Sequence, residues 1–404
     1  MRIGTQRAID RFVGAALCRI LSLFRWRYRE VPPGFAPRSI LVILLSEMGS
    51  LVLSKPMFDL LRQRYPVAAI HLLLFERNRE ALEVVNIVPD KDVLTIDDRS
   101  LLGFALSTLR SLSKLRRMKI DTAIDGELFS RVSSLLSWAS GAKVRVGFHP
   151  HTQEGLYRGG FINRPVVYNP YAHFSLQLTA MVDSIGCRGV PLVKKVLRMP
   201  PVDVAHPLPD SREKMRFYER LERDFPTLGK ADLVLVYPGG GLLPIRAWPL
   251  EHYRELVSGL TQRGYTVAVI GKKEDKRLSQ DLAMDGKCLD LTGYTATVKE
   301  LVFLIQRSVL LIGNDGGPAH FASLSSTPTI VFFGPETPQL YGPLGKDVHC
   351  FHTPLSCSPC LTAYNHRKTP CDGHNLCLKL IPPETVLEKA CELIGRRASR
   401  TVEP

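Results

Sequence analysis

Short apolar runs alternate with helical patterns twice along this chain, and that rhythm constrains its fold more than any other feature. In the first half, Ile40–Leu45, Ala68–Phe75, Asp92–Ile96, Asp121–Ile124 and Val144–Gly147 read as buried strands. Helical periodicity lies between them at Val52–Arg64, Leu101–Arg117 and Ser130–Ala139. The second half repeats the pattern, with strands at Leu233–Tyr237, Thr266–Ile270, Val309–Ile312 and Thr329–Phe333. Its helices are expected at Leu250–Arg263, Val298–Arg307 and Pro318–Ser325. Apolar strands alternating with helices build parallel sheets covered on both faces. Two such blocks, separated by a Pro-rich stretch from Pro191 to Pro209, predict an α/β protein of two Rossmann-like domains facing a cleft. The expected divisions are 1–34 (a basic helix and linker), 35–205 and 206–404, the last with a Cys-rich segment at 350–377 and a C-terminal helix. A length of 404 residues, 45% of them hydrophobic, suits two domains with cores of their own.

The chain holds 53 Lys and Arg against 39 Asp and Glu, a net charge of +14 that implies an anionic partner. Residues 1–40 are net +6 and residues 101–120 net +5, so most of the excess sits in two stretches. No RNP, zinc-finger or helix-turn-helix pattern accompanies them, which disfavours nucleic acid. No run reaches the roughly 18 apolar residues of a membrane span. Asp10, Arg11 and Arg19 interrupt any signal-peptide core, so a cytoplasmic location is expected. Ile9, Phe12, Val13, Ala16, Leu17, Ile20, Leu21 and Phe24 recur at helical spacing, with Arg7, Arg11 and Arg19 mostly elsewhere around the helix. Such a helix suits a membrane interface or packing on its own domain, and both readings stay open. Val31-Pro32-Pro33-Gly34 ends it.

Ligands of open α/β sheets sit beyond the carboxyl ends of strands. Leu45-Ser46-Glu47-Met48-Gly49-Ser50 follows the first strand. Tyr237-Pro238-Gly239-Gly240-Gly241 opens the second half and is followed by Arg246-Ala247-Trp248-Pro249. Further on, Gly313-Asn314-Asp315-Gly316-Gly317-Pro318-Ala319-His320 leads into a helix. Glycines admit an anion to backbone N–H groups, and a nearby Arg can neutralise a diphosphate. Neither loop is G-x-x-x-x-G-K-[ST] or G-x-G-x-x-G, which disfavours P-loop phosphate transfer and dinucleotide redox. The plainer reading is a turn, a capping Asp315 and a core His320; it leaves the double glycine unexplained.

Together, P-G-G-G with R-x-W-P, then G-N-D-G-G-P-x-H and Phe332-Phe333-Gly334-Pro335, resemble glycosyltransferase family 9, which contains the ADP-heptose:lipopolysaccharide heptosyltransferases. The likeness runs from residue 40 to about 395, with Arg117–Asp121, Arg131, Arg145–Phe148 and His173, opening a helix, resembling the family's first domain. It implies the GT-B fold and inverting, metal-independent transfer, with the acceptor lipid on the first domain and the nucleotide sugar on the second. It further implies Arg246 on the donor diphosphate, Asp315 beside the donor sugar, Gly316, Gly317 and His320 around the phosphates, and Glu274 or Asp275 near the ribose, while Gly239, Gly240 and Gly241 are expected to bind the donor on the glycine chemistry above. The implied partners are a nucleotide sugar, with ADP-heptose foremost, and an anionic glycolipid at the inner face of the cytoplasmic membrane. Two positions depart from the pattern. Gly49-Ser50 stands where the family has Gly-Asp, whose Asp is the proposed general base, and a lone serine hydroxyl is far too weak a base at neutral pH. Glu47, in the same turn, is the expected substitute, with Ser50 beside it. Gly316 replaces the usual Ser or Thr. The departure at Ser50 also admits a second function, a catalytically impaired protein that binds nucleotide sugar or glycan without efficient transfer.

Cys357, Cys360, Cys371 and Cys377 form C-x2-C-x10-C-x5-C, which can offer four thiolates to a structural zinc or simply close a loop with free thiols. No cofactor is expected in catalysis.

Overall fold

The computed structural model describes residues 3–24, 34–45, 47–128, 130–148, 157–187, 204–206, 208–228, 232–241, 243–283, 288–362, 369 and 371–402. The expected linker residues 31–33 and most of the stretch 191–209 lie outside the described residues. The chain divides into two compact units, Met1–Met199 and Pro200–Pro404.

Unit 1 carries strands β1 (Ser39–Ile43), β2 (Ala69–Phe75), β3 (Val93–Ile96), β4 (Thr122–Asp125), β5 (Val144–Phe148) and β6 (Arg164–Val166). They form one sheet in the order β3-β2-β1-β4-β5-β6, every pair parallel. β1 is buried along its whole length, as a central strand covered on both faces must be. Its apolar side chains Leu41 and Ile43 join Leu73, Leu94, Ile96, Ala123 and Leu115 in a core beneath the Leu101–Arg117 helix. The Met48–Arg64 helix starts earlier than its apolar periodicity suggests, so Gly49 and Ser50 lie in its first turn and Glu47 at its N-cap. β6 is absent from the expected strands because Arg-Pro-Val is too short to show a period, whereas the Phe174–Ser184 helix opens at His173 as the resemblance implies.

Unit 2 carries β7 (Leu233–Tyr237), β8 (Thr266–Val269), β9 (Leu289–Asp290), β10 (Leu310–Asn314), β11 (Thr329–Phe333) and β12 (Val348–His352). Their order is β12-β11-β10-β7-β8-β9, again wholly parallel. Trp248 is 2% exposed and stacks on Phe332 at a centroid distance of 4.4 Å. Burying an aromatic ring of this kind contributes about 2–3 kcal/mol. The C-terminal helix Pro383–Val402 places Val386, Ala390, Leu393 and Ile394 on the same core.

Both sheets therefore reverse their winding at one place. From β1 the chain steps outward through β2 and β3, then returns to β4 on the other side; β7 and β10 stand in the same relation. The loops leaving β1 and β4 in unit 1, and those leaving β7 and β10 in unit 2, each flank their own sheet's crevice, where this topology binds ligands.

Candidate functional site

In unit 2 the two glycine loops converge at that crevice. Gly239–Gly241 leave β7 and Asp315–Gly317 leave β10, whose Gly313 pairs in register with Tyr237. The loop after β7 turns so tightly that a Cβ on Gly240 would stand 2.7 Å from the Leu243 carbonyl oxygen, and Gly241 has φ +60°. Only glycine fits both demands. Tyr237 closes the floor, and burial pushes its phenol up to about 12, so it stays protonated at neutral pH.

Asn314 stitches these loops together. It is fully buried, its Oδ1 accepts from the Trp248 N–H (2.9 Å) and the Tyr253 hydroxyl (3.1 Å), and its Nδ2 donates to the carbonyls of Pro238 (2.9 Å) and Gly239 (3.1 Å). A full set of partners in a dry interior makes a rigid joint. Asn314→Leu is expected to lower stability by about 3 kcal/mol, because it removes one side of four buried hydrogen bonds. Urea unfolding measures it; an unchanged midpoint would show that the joint carries no stability.

Arg246 ends the turn Pro244–Arg246 and is 14% exposed. Its Nη2 donates to Glu336 Oε1 at 2.6 Å, and its Nε lies 3.6 Å from Asp315 Oδ2. Glu336 is 3% exposed and follows β11 in Gly334-Pro335-Glu336. The structure thus joins Arg246 and Asp315, which the sequence singled out, to an acid it did not. His320 is buried in the short Gly317–Ala322 helix. Of the two acids after β8, Asp275 accepts the Lys272 N–H at 2.9 Å and closes its own turn, while Glu274 is exposed.

The four cysteines give a different result from the zinc expectation. Among the described residues no group of three or more His, Cys, Asp or Glu is placed to hold a metal ion. Cys357 and Cys371 are exposed, and all four are free thiols. The described residues thus hold no four-thiolate site, and the contacts recorded for the segment brace the donor loops instead. Cys360 and Leu361 donate their N–H groups to the Pro335 carbonyl (2.9 and 2.8 Å), and Ser358 Oγ donates to the Gly334 carbonyl. Cys377 and Leu378 fill the space above Gly334, where a Cβ would stand 2.6 Å from Leu378 Cγ. Asn375 Nδ2 donates to the carbonyl of Ile245, next to Arg246. Burial raises the Cys377 thiol, with the neighbouring Cys360 adding to the shift.

In unit 1 the corresponding crevice holds Glu47, exposed at the N-cap of its helix, and half-buried Ser50 in the first turn. A further acid, Glu127, stands just past the end of β4. Its Oε1 accepts the Leu45 N–H at 2.6 Å, while the Leu45 carbonyl accepts from Asn78 Nδ2 at 2.6 Å. The peptide preceding Ser46-Glu47 is therefore clamped from two sides. Glu127 is itself held: its N–H donates to Asp125 Oδ1 (3.2 Å), and Arg158 donates to its carbonyl and to the Asp125 carboxylate. Asp125 and Arg158 are at most 1% exposed. Burial holds the Asp125 carboxyl above its ordinary value, opposed by the Arg158 guanidinium. Residues 131, 145 and 173, picked out by resemblance, serve the framework: Arg131 Nε donates to the Tyr157 carbonyl, Arg145 Nε to the Phe161 carbonyl, and His173 caps the Phe174–Ser184 helix.

The profile of "Glycosyltransferase family 9 (heptosyltransferase)" matches residues 109–369. Lipopolysaccharide heptosyltransferase 2 of Salmonella typhimurium is 24% identical over 372 residues, covering 88% of this chain and 98% of that one. Among solved structures, ADP-heptose lipopolysaccharide heptosyltransferase II of E. coli superposes with a TM-score of 0.68 at 21% identity, covering 89% of this chain and 99% of its own. An E. coli heptosyltransferase solved with ADP gives a TM-score of 0.61 at 16% identity, over 88% of this chain and 99% of its own. The fold they share with the two parallel sheets described above is GT-B. The chain belongs to glycosyltransferase family 9, the heptosyltransferase family.

Proposed function

We propose that the protein transfers heptose from ADP-heptose to the core of a lipopolysaccharide or a similar anionic glycolipid, at the inner face of the cytoplasmic membrane. The observation that carries this reading is the junction of the two glycine loops, where Arg246 is set between Asp315 and Glu336 at the crevice of unit 2. Length-spanning similarity to lipopolysaccharide heptosyltransferases supports the donor and acceptor classes.

Unit 2 takes the nucleotide sugar. Backbone N–H groups of Gly239–Gly241 and Gly316–Gly317 approach the diphosphate, Arg246 neutralises it, His320 supports the start of its helix, and Asp315 lies beside the sugar. Glu274 rather than Asp275 serves the ribose, since Asp275 is committed to its own turn. Unit 1 takes the acceptor. Glu47 removes the proton of the acceptor hydroxyl, aided by Ser50, as that oxygen forms a bond to the anomeric carbon from the face opposite the diphosphate. The bond from the anomeric carbon to the diphosphate oxygen breaks, ADP leaves with the electron pair, and configuration inverts. No step is assigned to a cofactor, and no metal to the Cys-rich segment.

The test is release of ADP from ADP-heptose with and without a heptose-deficient lipopolysaccharide acceptor. Acceptor-dependent release with matching mass gain on the lipid is expected. Tight binding without release under any acceptor would instead favour a nucleotide-sugar-binding protein that has lost transfer.

A further inference from the structure

Eight of the fifteen exposed large hydrophobic side chains among the described residues sit on two helical segments of unit 1, and Leu23 and Phe24 directly follow the first of them. One is the N-terminal helix, built of Ile3–Ile9, a π-helical turn Asp10–Gly14 and Ala15–Ser22. It is fastened by a narrow seam. Asp10 accepts the N–H groups of Arg131 (2.7 Å) and Val132 (2.9 Å), capping the Arg131–Ala139 helix. Gly14 packs on Arg131, and Cys18 is buried against Phe161 and Ile162. Ser22 Oγ accepts from the Tyr157 hydroxyl and from the Gly160 N–H, both at 2.8 Å. The stripe that amphipathic packing would normally bury faces solvent instead: Phe12 is 69% exposed, Leu17 42%, Ile20 51% and Leu23 80%. Arg11 and Arg19 are exposed along it.

The Leu101–Arg117 helix repeats the device. Leu102, Leu106 and Leu109 are exposed at i, i+4 and i+7, and Arg110, Lys114 and Arg117 continue the exposed face at the same spacing. Its only buried residues are Ser111 and Leu115. Acids near its start are already matched by guanidinium groups, Asp98 by Arg77 and Asp97 by Arg99. The two segments belong to one surface region, since Gln6 Nε2 donates to the Asp98 carboxylate at 3.3 Å.

We infer that these two faces form a docking surface for an anionic lipid bilayer, the leucine and phenylalanine side chains entering the headgroup boundary and the arginine and lysine side chains meeting lipid phosphates. Exposed apolar stripes bordered by cations are what such an interface rewards. A second copy of the chain is the poorer occupant, because a two-fold contact would set one cationic face against another. The inference takes from the proposed function only that the acceptor is lipid-borne, and it supplies the surface that brings unit 1 to that lipid.

The experiment sediments the full chain with vesicles of phosphatidylglycerol or of phosphatidylcholine, with no sugar donor or glycolipid present. Binding to phosphatidylglycerol that weakens with salt is expected, with little binding to phosphatidylcholine. F12E/L17E/I20E and L102E/L106E/L109E change only exposed side chains, and each is expected to weaken binding by about tenfold or more at unchanged melting temperature. Deleting residues 1–34 is the poorer variant, since it strips the Asp10 cap and Cys18 from unit 1. Wild type that stays in the supernatant, or triple variants that sediment like wild type, overturn the inference. So does a vesicle-free dimer that the triple variants dissolve. Because no sugar chemistry enters the assay, its result is read separately from the heptose-transfer test.

Discussion

Arg246→Ala is expected to lower acceptor-dependent ADP release by about 10²–10³-fold, the usual cost of removing one preorganised charge partner of a developing anion. The same change is expected to cost about 3 kcal/mol of stability, which a purely catalytic residue would not. Glu336 and Asp315 are almost wholly buried, and the guanidinium between them offsets their charge where water cannot. The two losses separate in the double variant R246A/E336Q. Neutralising Glu336 removes part of the buried negative charge, so most of the stability returns, while transfer stays low because nothing replaces the cation at the diphosphate. Urea unfolding and ADP release measured on the same three proteins check this. Equal destabilisation in the single and double variants would show that Glu336 does not depend on Arg246.

The pairing also shows what the amino-acid pattern could and could not convey. β7, β11 and the Leu101–Arg117 and Val298–Arg307 helices occupy the expected residues, because each is a continuous apolar run or a clean helical period. β9 is two residues long and β6 three, below the length at which alternation exists. The Arg212–Asp224 helix buries only Phe217 and Leu221 among thirteen mostly charged residues, so its apolar stripe is too thin to stand out. At the site, glycines, Arg246 and Asp315 are legible because tight turns and anion contacts demand particular residue types. Glu336 meets Arg246 across 90 positions, Asn314 meets Trp248 across 66, and Glu127 meets Leu45 across 82. No local period encodes such meetings. A weaker signal was present: Glu127 and Glu336 each stand within three residues of a strand's carboxyl end, where ligand-facing residues gather. The cysteine spacing carried the opposite lesson: its segment packs Gly334 through Cys377 and braces the turn beside Arg246 through Asn375, while Cys357 and Cys371 are exposed.

Glu47→Gln is expected to lower transfer by about 10²–10³-fold with little change in KM for ADP-heptose, since a general base acts only as the proton moves. The acid limb of the kcat profile, where the base becomes protonated, should vanish with it. Glu127 makes the result discriminating, because it is a second carboxylate at the same crevice with a visible structural task. Glu127→Gln keeps an oxygen for the Leu45 N–H and is expected to retain most activity. Glu127→Ala releases the peptide that precedes Ser46-Glu47 and is expected to lower kcat by about tenfold through misplacement of the base. Its pH profile keeps the acid limb, because the titrating group is still there. If Glu127→Gln instead abolishes transfer and the acid limb while Glu47→Gln keeps both, the proton passes to Glu127. The loop after β1 would then owe its clamp to the residue that performs the chemistry, and Ser50 would mark a site whose base has moved from the first strand to the fourth.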